Sequence, residues 1–418
     1  MTKIAYDLSE VFSQSTGKDQ FYGIARVVAE IAYGLFRSEH DVTFVLYSPG
    51  HAKFFEIVPT WDEKSYAGIN LNVPTSAKPM KFRNIYKRGN LLRDLLSPAI
   101  GAVIRFKNRE RWRKSGIELK EVKLDGYSFF SAGRPKLIID MVHTIRTRGW
   151  NTKSYVLLHD FFPFHDVDER HQSRFAASFH HDNSFLIPRT DVIVPNSYFT
   201  ANDLEHFAGN GTLPKPKDVK VLQLAQHSIH SGEHEEIFLP DRPYFMCVGT
   251  LLGRKNLDIV LDAMMHLHET GREVPLLILA GQKRSSVVRH LDKPELEKIR
   301  KQIRFVVHPN QTDLNRLYQN AIATIIPSKM EGWGLPAGEA LHLGCPVISS
   351  TADALVECCG DLGVFFDPDD KEQLADLMEK FATDQEYRDS VRDKIVAGKD
   401  SLRSWDTVAA ELIEIMEA

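Results

Sequence analysis

The chain is poor in the features that most readily announce a function. Its 418 residues include four cysteines, Cys247, Cys345, Cys358 and Cys359, and none has metal-ligand spacing. They fall in or near apolar segments and read as buried thiols of a cytosolic protein. No uninterrupted apolar run is long enough to span a bilayer. The amino terminus, Met1 to Asp7, reads as a strand leading to a polar loop, not as a leader peptide. Net charge is only −4, so bulk charge gives no ground for a nucleic-acid binder. A P-loop and an H-E-x-x-H motif are missing, as is a G-x-S-x-G elbow. The missing G-x-G-x-x-G fingerprint disfavours a nicotinamide dehydrogenase.

What is present is an ordinary globular composition, 43% hydrophobic and 26% charged, in a chain long enough for two domains with full cores. Lys3–Asp7 reads as a strand, followed by a polar loop over 9–20, Gly23 and a helix to about Arg37. Strand, glycine loop and helix open a doubly wound domain. Further strands are expected at 42–47, 155–158 and 191–195, with Ser197 as a cap for the next helix. The second half is more regular, with strands expected at 244–248, 275–280, 303–307, 321–326, 346–349 and 364–366. Helices lie between them, including 313–320 and 337–343. Fully apolar strands alternating with helices mean parallel sheets covered on both faces. The expected fold class is α/β, two doubly wound Rossmann-like domains facing a central cleft. The first would cover 1–235 and the second 236–402, with the junction near 231–240.

The richest stretch is Glu331-Gly332-Trp333-Gly334-Leu335-Pro336-Ala337-Gly338-Glu339. Two carboxylates stand either side of a glycine-rich turn between a strand-like and a helix-like run. Such turns at the carboxyl ends of strands present ligand-binding groups in open α/β sheets. Pro336 suits the first turn of a helix, and the N–H groups there can meet an anion or sugar hydroxyls. Glu339 is expected within that first turn. Taken alone, the motif suits a structural turn as well, because the dipole favours an acid there.

Gly249 to Asn256 follows a strand and opens a helix, and it carries Arg254 and Lys255. Two cations at a helix start oppose the dipole, and a local conflict of this kind points to function. A diphosphate would satisfy both; a solvated basic turn is the plain alternative. Gly23 is placed for close backbone approach to a ligand, and Arg26, one turn on, for the same cleft. His159 and Asp160 end an apolar strand, placed for that cleft, although a lone histidine is more often structural. Between Lys81 and Lys114, eleven Lys and Arg face two acids, with apolar residues interleaved. Such a segment suits an anionic membrane surface or a solvated helical hairpin packed on its own domain.

Together these pieces resemble glycosyltransferase family 4, the retaining nucleotide-sugar transferases of GT-B fold. The likeness rests on the E-x7-E segment from Glu331 to Glu339 and its continuation through Gly344-Cys345-Pro346, Glu357 and Phe366-Asp367-Pro368. It rests also on the turn from Gly249 to Asn256, on Gly23-Ile24-Ala25-Arg26, on His159-Asp160 and on Pro195-Asn196-Ser197. The resemblance implies that Arg254 and Lys255 bind the donor diphosphate and that Glu339 holds the ribose hydroxyls. Glu331 and the backbone N–H groups of Gly332, Trp333, Gly334 and Leu335 would hold the transferred sugar. His159 would lie at the reacting face, with Gly23 and Gly249 near the diphosphate. No metal and no separate cofactor is implied. Thr250 stands where many members carry Arg, and Trp333 where Phe is usual. The last helix, 403–418, would cross back to the first domain, which would bind the acceptor.

The finer variant resembles members that use GDP-mannose and build bacterial surface polysaccharide such as O-antigen. The expectation is then a cytoplasmic enzyme, peripheral at the inner face of the membrane through 81–114, acting on a glycan or lipid-linked glycan. A catalytically silent nucleotide-sugar-binding protein and a GT-B epimerase or phosphorylase are the alternatives. The four site residues Glu331, Glu339, Lys255 and His159 argue against the first, and no pyridoxal lysine site is identifiable for a phosphorylase.

Overall fold

A computed structural model describes residues 2–14, 23–61, 69–80, 91–165, 173–228, 239–249 and 252–418. The expected junction at 231–240 and Thr250 fall largely or wholly outside the described residues. The first sheet has seven strands: β1 (Lys3–Asp7), β2 (Val42–Ser48), β3 (Lys53–Glu56), β6 (Glu121–Val122), β7 (Tyr127–Ser131), β8 (Lys153–Leu158) and β9 (Val192–Pro195). A small ribbon, β4 (Thr60–Trp61) with β5 (Ile69–Asn70), stands apart. The spatial order is β6-β3-β2-β1-β7-β8-β9. The second sheet holds β10 (Tyr244–Val248), β11 (Leu276–Gly281), β12 (Ile303–Val307), β13 (Ala323–Ile326), β14 (Val347–Ser350) and β15 (Val364–Phe366). Its order is β12-β11-β10-β13-β14-β15, and every pair is parallel.

The first sheet departs from the all-parallel expectation at one edge. β3 pairs antiparallel with β2, and β6 with β3. A tight connection carrying Ala52 at positive φ returns the chain directly, and antiparallel neighbours need no crossover. The polar loop expected over 9–20 also begins as a helix, α1 (Ser9–Gln14). Val11 and Phe12 are buried there, and their burial outweighs the weak local helix signal of a polar stretch.

The remaining helices of the first domain are α2 (Ile24–Arg37), α3 (Leu91–Lys114), α4 (Pro135–Arg148), α5 (Arg174–Leu186) and α6 (Tyr198–Gly209). The second domain carries α7 (Leu257–Glu269), α8 (Ser285–Leu291), α9 (Glu297–Arg300), α10 (Gln311–Asn320), α11 (Leu335–His342), α12 (Asp353–Cys359), α13 (Lys371–Thr383) and α14 (Gln385–Gly398). Last comes α15 (Trp405–Glu417). It lies against α2 closely enough that a methyl on Gly34 would sit 2.7 Å from Ala409 Cβ. Tyr155 Oη donates to the Met416 carbonyl at 3.1 Å. The final helix therefore packs on the first domain.

Each sheet changes winding direction once, between β1 and β7 and between β10 and β13. Crevices form outside the carboxyl ends of strands at such switch points. That geometry places the loops after β1, β7 and β8 opposite those after β10 and β13. Among the described residues, no helix is long and apolar enough to cross a membrane.

Candidate active site

The loop after β13 is held by its own backbone chemistry. Gly334 sits at φ 109° and caps α11, which starts at Leu335 with Pro336 inside its first turn. A side chain at Gly334 would meet Leu355 Cδ2 at 2.6 Å. Because the helix begins two residues before the expected start at 337, Glu339 lies past the first turn rather than in it. Trp333 is buried, and its indole N–H donates to the Ala225 carbonyl at 3.2 Å. Only its backbone is therefore available to a ligand.

Glu331 lies at the centre of the constellation. Lys255 Nζ pairs with its Oε1, and Arg254 Nη1 lies 3.3 Å from its Oε2. Burial alone would raise its pKa, but Lys255 and Arg254 outweigh that and hold it below the usual carboxylate value. It therefore stays ionised and serves as an acceptor of hydrogen bonds, not as a proton donor. Arg254 also donates to the Met330 carbonyl at 2.8 Å, and Lys329 N–H donates to the Arg254 carbonyl at 2.8 Å. These bonds lock the turn after β10 to the turn after β13. The two cations part company beyond Glu331. Lys255 lines a cavity of about 380 Å³ together with Gly249, Pro336 and Glu339. The Arg254 guanidinium lies 3.9 Å from the Phe162 ring centroid and lines a different cavity.

The Lys255 cavity is closed on its far side by the first domain, through Gly23 and Arg26. Gly23 has φ 56° and caps α2. Glu339 is 3% exposed; its Oε1 pairs with Arg26, and Gln311 Nε2 and Tyr318 Oη lie 3.5 Å from Oε2. Gln282, Arg284, His308 and Pro309 complete the wall, and the sequence reading did not single them out. No local pattern marks them; His308, just after β12, has a positive φ of 54°.

The Arg254 cavity belongs mostly to the first domain and also measures about 380 Å³. His159 and Asp160, after β8, share it with Arg134, Phe162, Phe175, Phe179 and Asp182. His159 Nε2 lies 2.7 Å from the Ala132 carbonyl. A carbonyl only accepts, so Nε2 carries the proton and Nδ1 is the bare nitrogen of the neutral ring. Burial lowers the His159 pKa against the raising effects of that carbonyl and of Glu10. Glu10 pairs with Arg134 at 2.7 Å. Asp7, behind it, is pushed up to about 6 by burial, although Ser9 and Ser131 hydrogen-bond to it. The α1 and β7 residues around His159 belong to no motif: Glu10 lies in a polar stretch and Ser131 ends a strand.

The two halves touch beside His159. A methyl on Gly332 would lie 2.1 Å from the His159 carbonyl oxygen. Glu357 of α12 accepts from the N–H groups of Tyr198 at 2.8 Å and Phe199 at 3.2 Å. It thus supplements the Ser197 cap of α6 from the opposite domain. Among the described residues no group of three His, Cys, Asp or Glu side chains is arranged to hold a metal ion.

Two Rossmann-like domains with facing crevices define the GT-B class, and solved structures of that class superpose on the whole chain. Sucrose-phosphate synthase from Thermosynechococcus elongatus matches with a TM-score of 0.66 at 15% identity, covering 100% of this chain and 98% of that one. The Anabaena protein HepE, solved with UDP and glucose, matches with a TM-score of 0.62 at 14% identity, covering both chains fully at 100%. Residues 232–395 match the model of the family described as glycosyl transferases group 1. The chain is 30% identical over 175 residues to the O-antigen chain mannosyltransferase B of Escherichia coli, covering 41% of this chain and 44% of that protein. It is also 30% identical over 226 residues to a D-inositol 3-phosphate glycosyltransferase of Xylanimonas cellulosilytica, covering 51% of this chain and 48% of that protein. In both cases the match spans less than half of the relative's length.

Proposed function

We propose that the protein is a retaining hexosyltransferase. It moves a hexose, mannose favoured, from a nucleoside diphosphate sugar such as GDP-mannose to a glycan or lipid-linked glycan in surface polysaccharide synthesis. One observation carries this reading. Lys255, paired with Glu331, and Glu339 of the second domain share a cavity with Gly23 of the first, and Gly332, next to Glu331, lies against the His159 carbonyl. The mannosyltransferase relative supports the choice of sugar.

In this reading the nucleotide lies in the cavity of Lys255 and Glu339, and the acceptor lies in that of His159 and Phe162. Lys255 and the amino end of α11 meet the charge that builds on the leaving diphosphate, so no metal is needed for that role. Glu331 holds sugar hydroxyls, since an ionised carboxylate held by two cations is a poor general acid. The sugar's anomeric carbon loses its bond to the diphosphate and gains one to the acceptor oxygen on the same face. The acceptor's proton passes to the departing diphosphate.

The acceptor's setting is supported by α3. Its inner face is fastened to the domain by Asn108, which accepts from Met80 N–H at 2.7 Å, and by Arg109, which donates to the Gly50 carbonyl at 2.9 Å. Its outer face exposes Leu95 (76%), Leu96, Ile100, Val103 and Phe106 (63%), flanked by Lys107, Arg113 and Lys114. An apolar row with basic neighbours suits the headgroup region of an anionic bilayer. A thermal-shift screen with GDP, UDP and their hexose conjugates, followed by an assay for released nucleoside diphosphate, tests the activity. Stabilisation by one nucleotide and turnover of its sugar are expected. A flat screen with no turnover of any conjugate would remove the proposal.

A further inference from the structure

Arg26 is costly where it stands. It lies in the first turn of α2, where the helix dipole disfavours a cation. It is also only 6% exposed, and a buried charge must recover its lost hydration from close partners. Within its own domain it has Glu30, whose Oε1 lies 3.3 Å from Nε. Further compensation comes from across the cleft. Nη1 pairs with Glu339 and donates to Gln311 Oε1 at 3.2 Å. Gln311 is itself fixed, donating to Ser228 at 2.9 Å and Asn315 at 2.8 Å.

The effect on Glu339 is specific. A carboxylate offers about four lone-pair sites. Arg26 takes one of them strongly, while Gln311 and Tyr318 reach the other oxygen only at 3.5 Å. The guanidinium therefore sets the carboxylate's orientation and leaves capacity for further donors. All of this happens in the wall of the Lys255 cavity, which Arg26 and Glu339 both line.

We infer that Arg26 is a positioning residue of the donor site. It acts from the first domain through Glu339, fixing that carboxylate for the paired hydroxyls of a ribose and making the site whole only when the cleft is closed. The inference rests on the donor reading given above.

The test is a double-mutant cycle on nucleotide affinity, with GDP and UDP titrated separately by calorimetry into wild type, R26A, E339Q and the double variant. Each single variant is expected to weaken the better nucleotide about tenfold. The double variant should be no weaker than the worse single variant, because residues acting through one contact are not additive. At saturating donor, R26A should keep kcat and the acceptor KM while the donor KM rises. R26K keeps the charge but not the fork, and should recover part of the loss. Wild-type affinity in R26A, or additive losses in the double variant, would overturn the inference. Loss of E339Q's effect alone would instead remove the ribose role of Glu339, a separate failure. Should R26A not fold, R26K takes its place in the same cycle and is read by the same outcomes.

Discussion

Replacing Gly332 by alanine should abolish the proposed transfer without unfolding the protein. The added methyl would stand 2.1 Å from the His159 carbonyl oxygen and 3.4 Å from Asn196 Nδ2, both in the opposite domain. Carbon and carbonyl oxygen are comfortable no closer than about 3.3 Å. The domains must therefore separate by roughly 1 Å where Gly332 faces His159. A displacement of that size costs about 100-fold in a reaction that depends on positioning, near 3 kcal/mol of barrier. Gly332 is not among the glycines with positive φ, so alanine suits its backbone and the second domain should melt normally. Gly334 supplies the contrast. Its φ is 109°, and its methyl would strike Leu355 within the same domain; G334A should lower the melting temperature. The assay is kcat/KM with the cognate donor beside melting curves for both variants. Full turnover in G332A would refute the closed contact between Gly332 and His159 as the working geometry.

Lys255→Ala should lose most turnover with its melting curve little changed, and Glu331→Gln should cut transfer far more than stability; unchanged turnover in either variant removes that residue from the site. Glu30 gives a pH signature. Burial, opposed by Arg26, pushes it up to about 7 from an ordinary 4.5. The unfolded chain then ionises at lower pH than the native one, so stability present below about 4.5 is lost as pH rises to 7, on the order of 3 kcal/mol. Glu30→Gln should accordingly flatten the fall in stability that wild type shows between pH 4.5 and 8; the same pH dependence in both proteins would refute the shift. Flotation with anionic vesicles at low salt should carry the protein up, and Val103→Asp with Phe106→Asp should abolish this while transfer to a soluble acceptor persists. Wild type left at the bottom of the gradient would dismiss α3 as a membrane surface.

Much of the architecture was legible from the chain because its signals are local. Continuous apolar runs, such as those of β10 and β11, require burial on both faces. The glycine turns around Gly23, Gly249 and Gly334 mark where backbone must turn left-handed, and each does. The E-x7-E segment, the Arg254-Lys255 pair and His159 could be named because residue type and spacing suffice to suggest hydroxyl and phosphate binding. The hairpin edge of the first sheet and the short α1 were not legible, since their apolar content is slight and their partners lie far off in sequence.

The sequence by itself determined two doubly wound α/β units and the chemical types at their strand ends. Only the tertiary structure decided which of those groups meet. It sent Lys255 and Arg254 into separate cavities while joining both to Glu331. It set Gly332 against His159, and it brought Arg26 across 313 positions of chain to Glu339. These pairings depend on how the crevices of the two domains are aligned, and no local pattern encodes a distance between domains. Spacing in the chain fixes which face a side chain takes; closure of the cleft fixes what it touches.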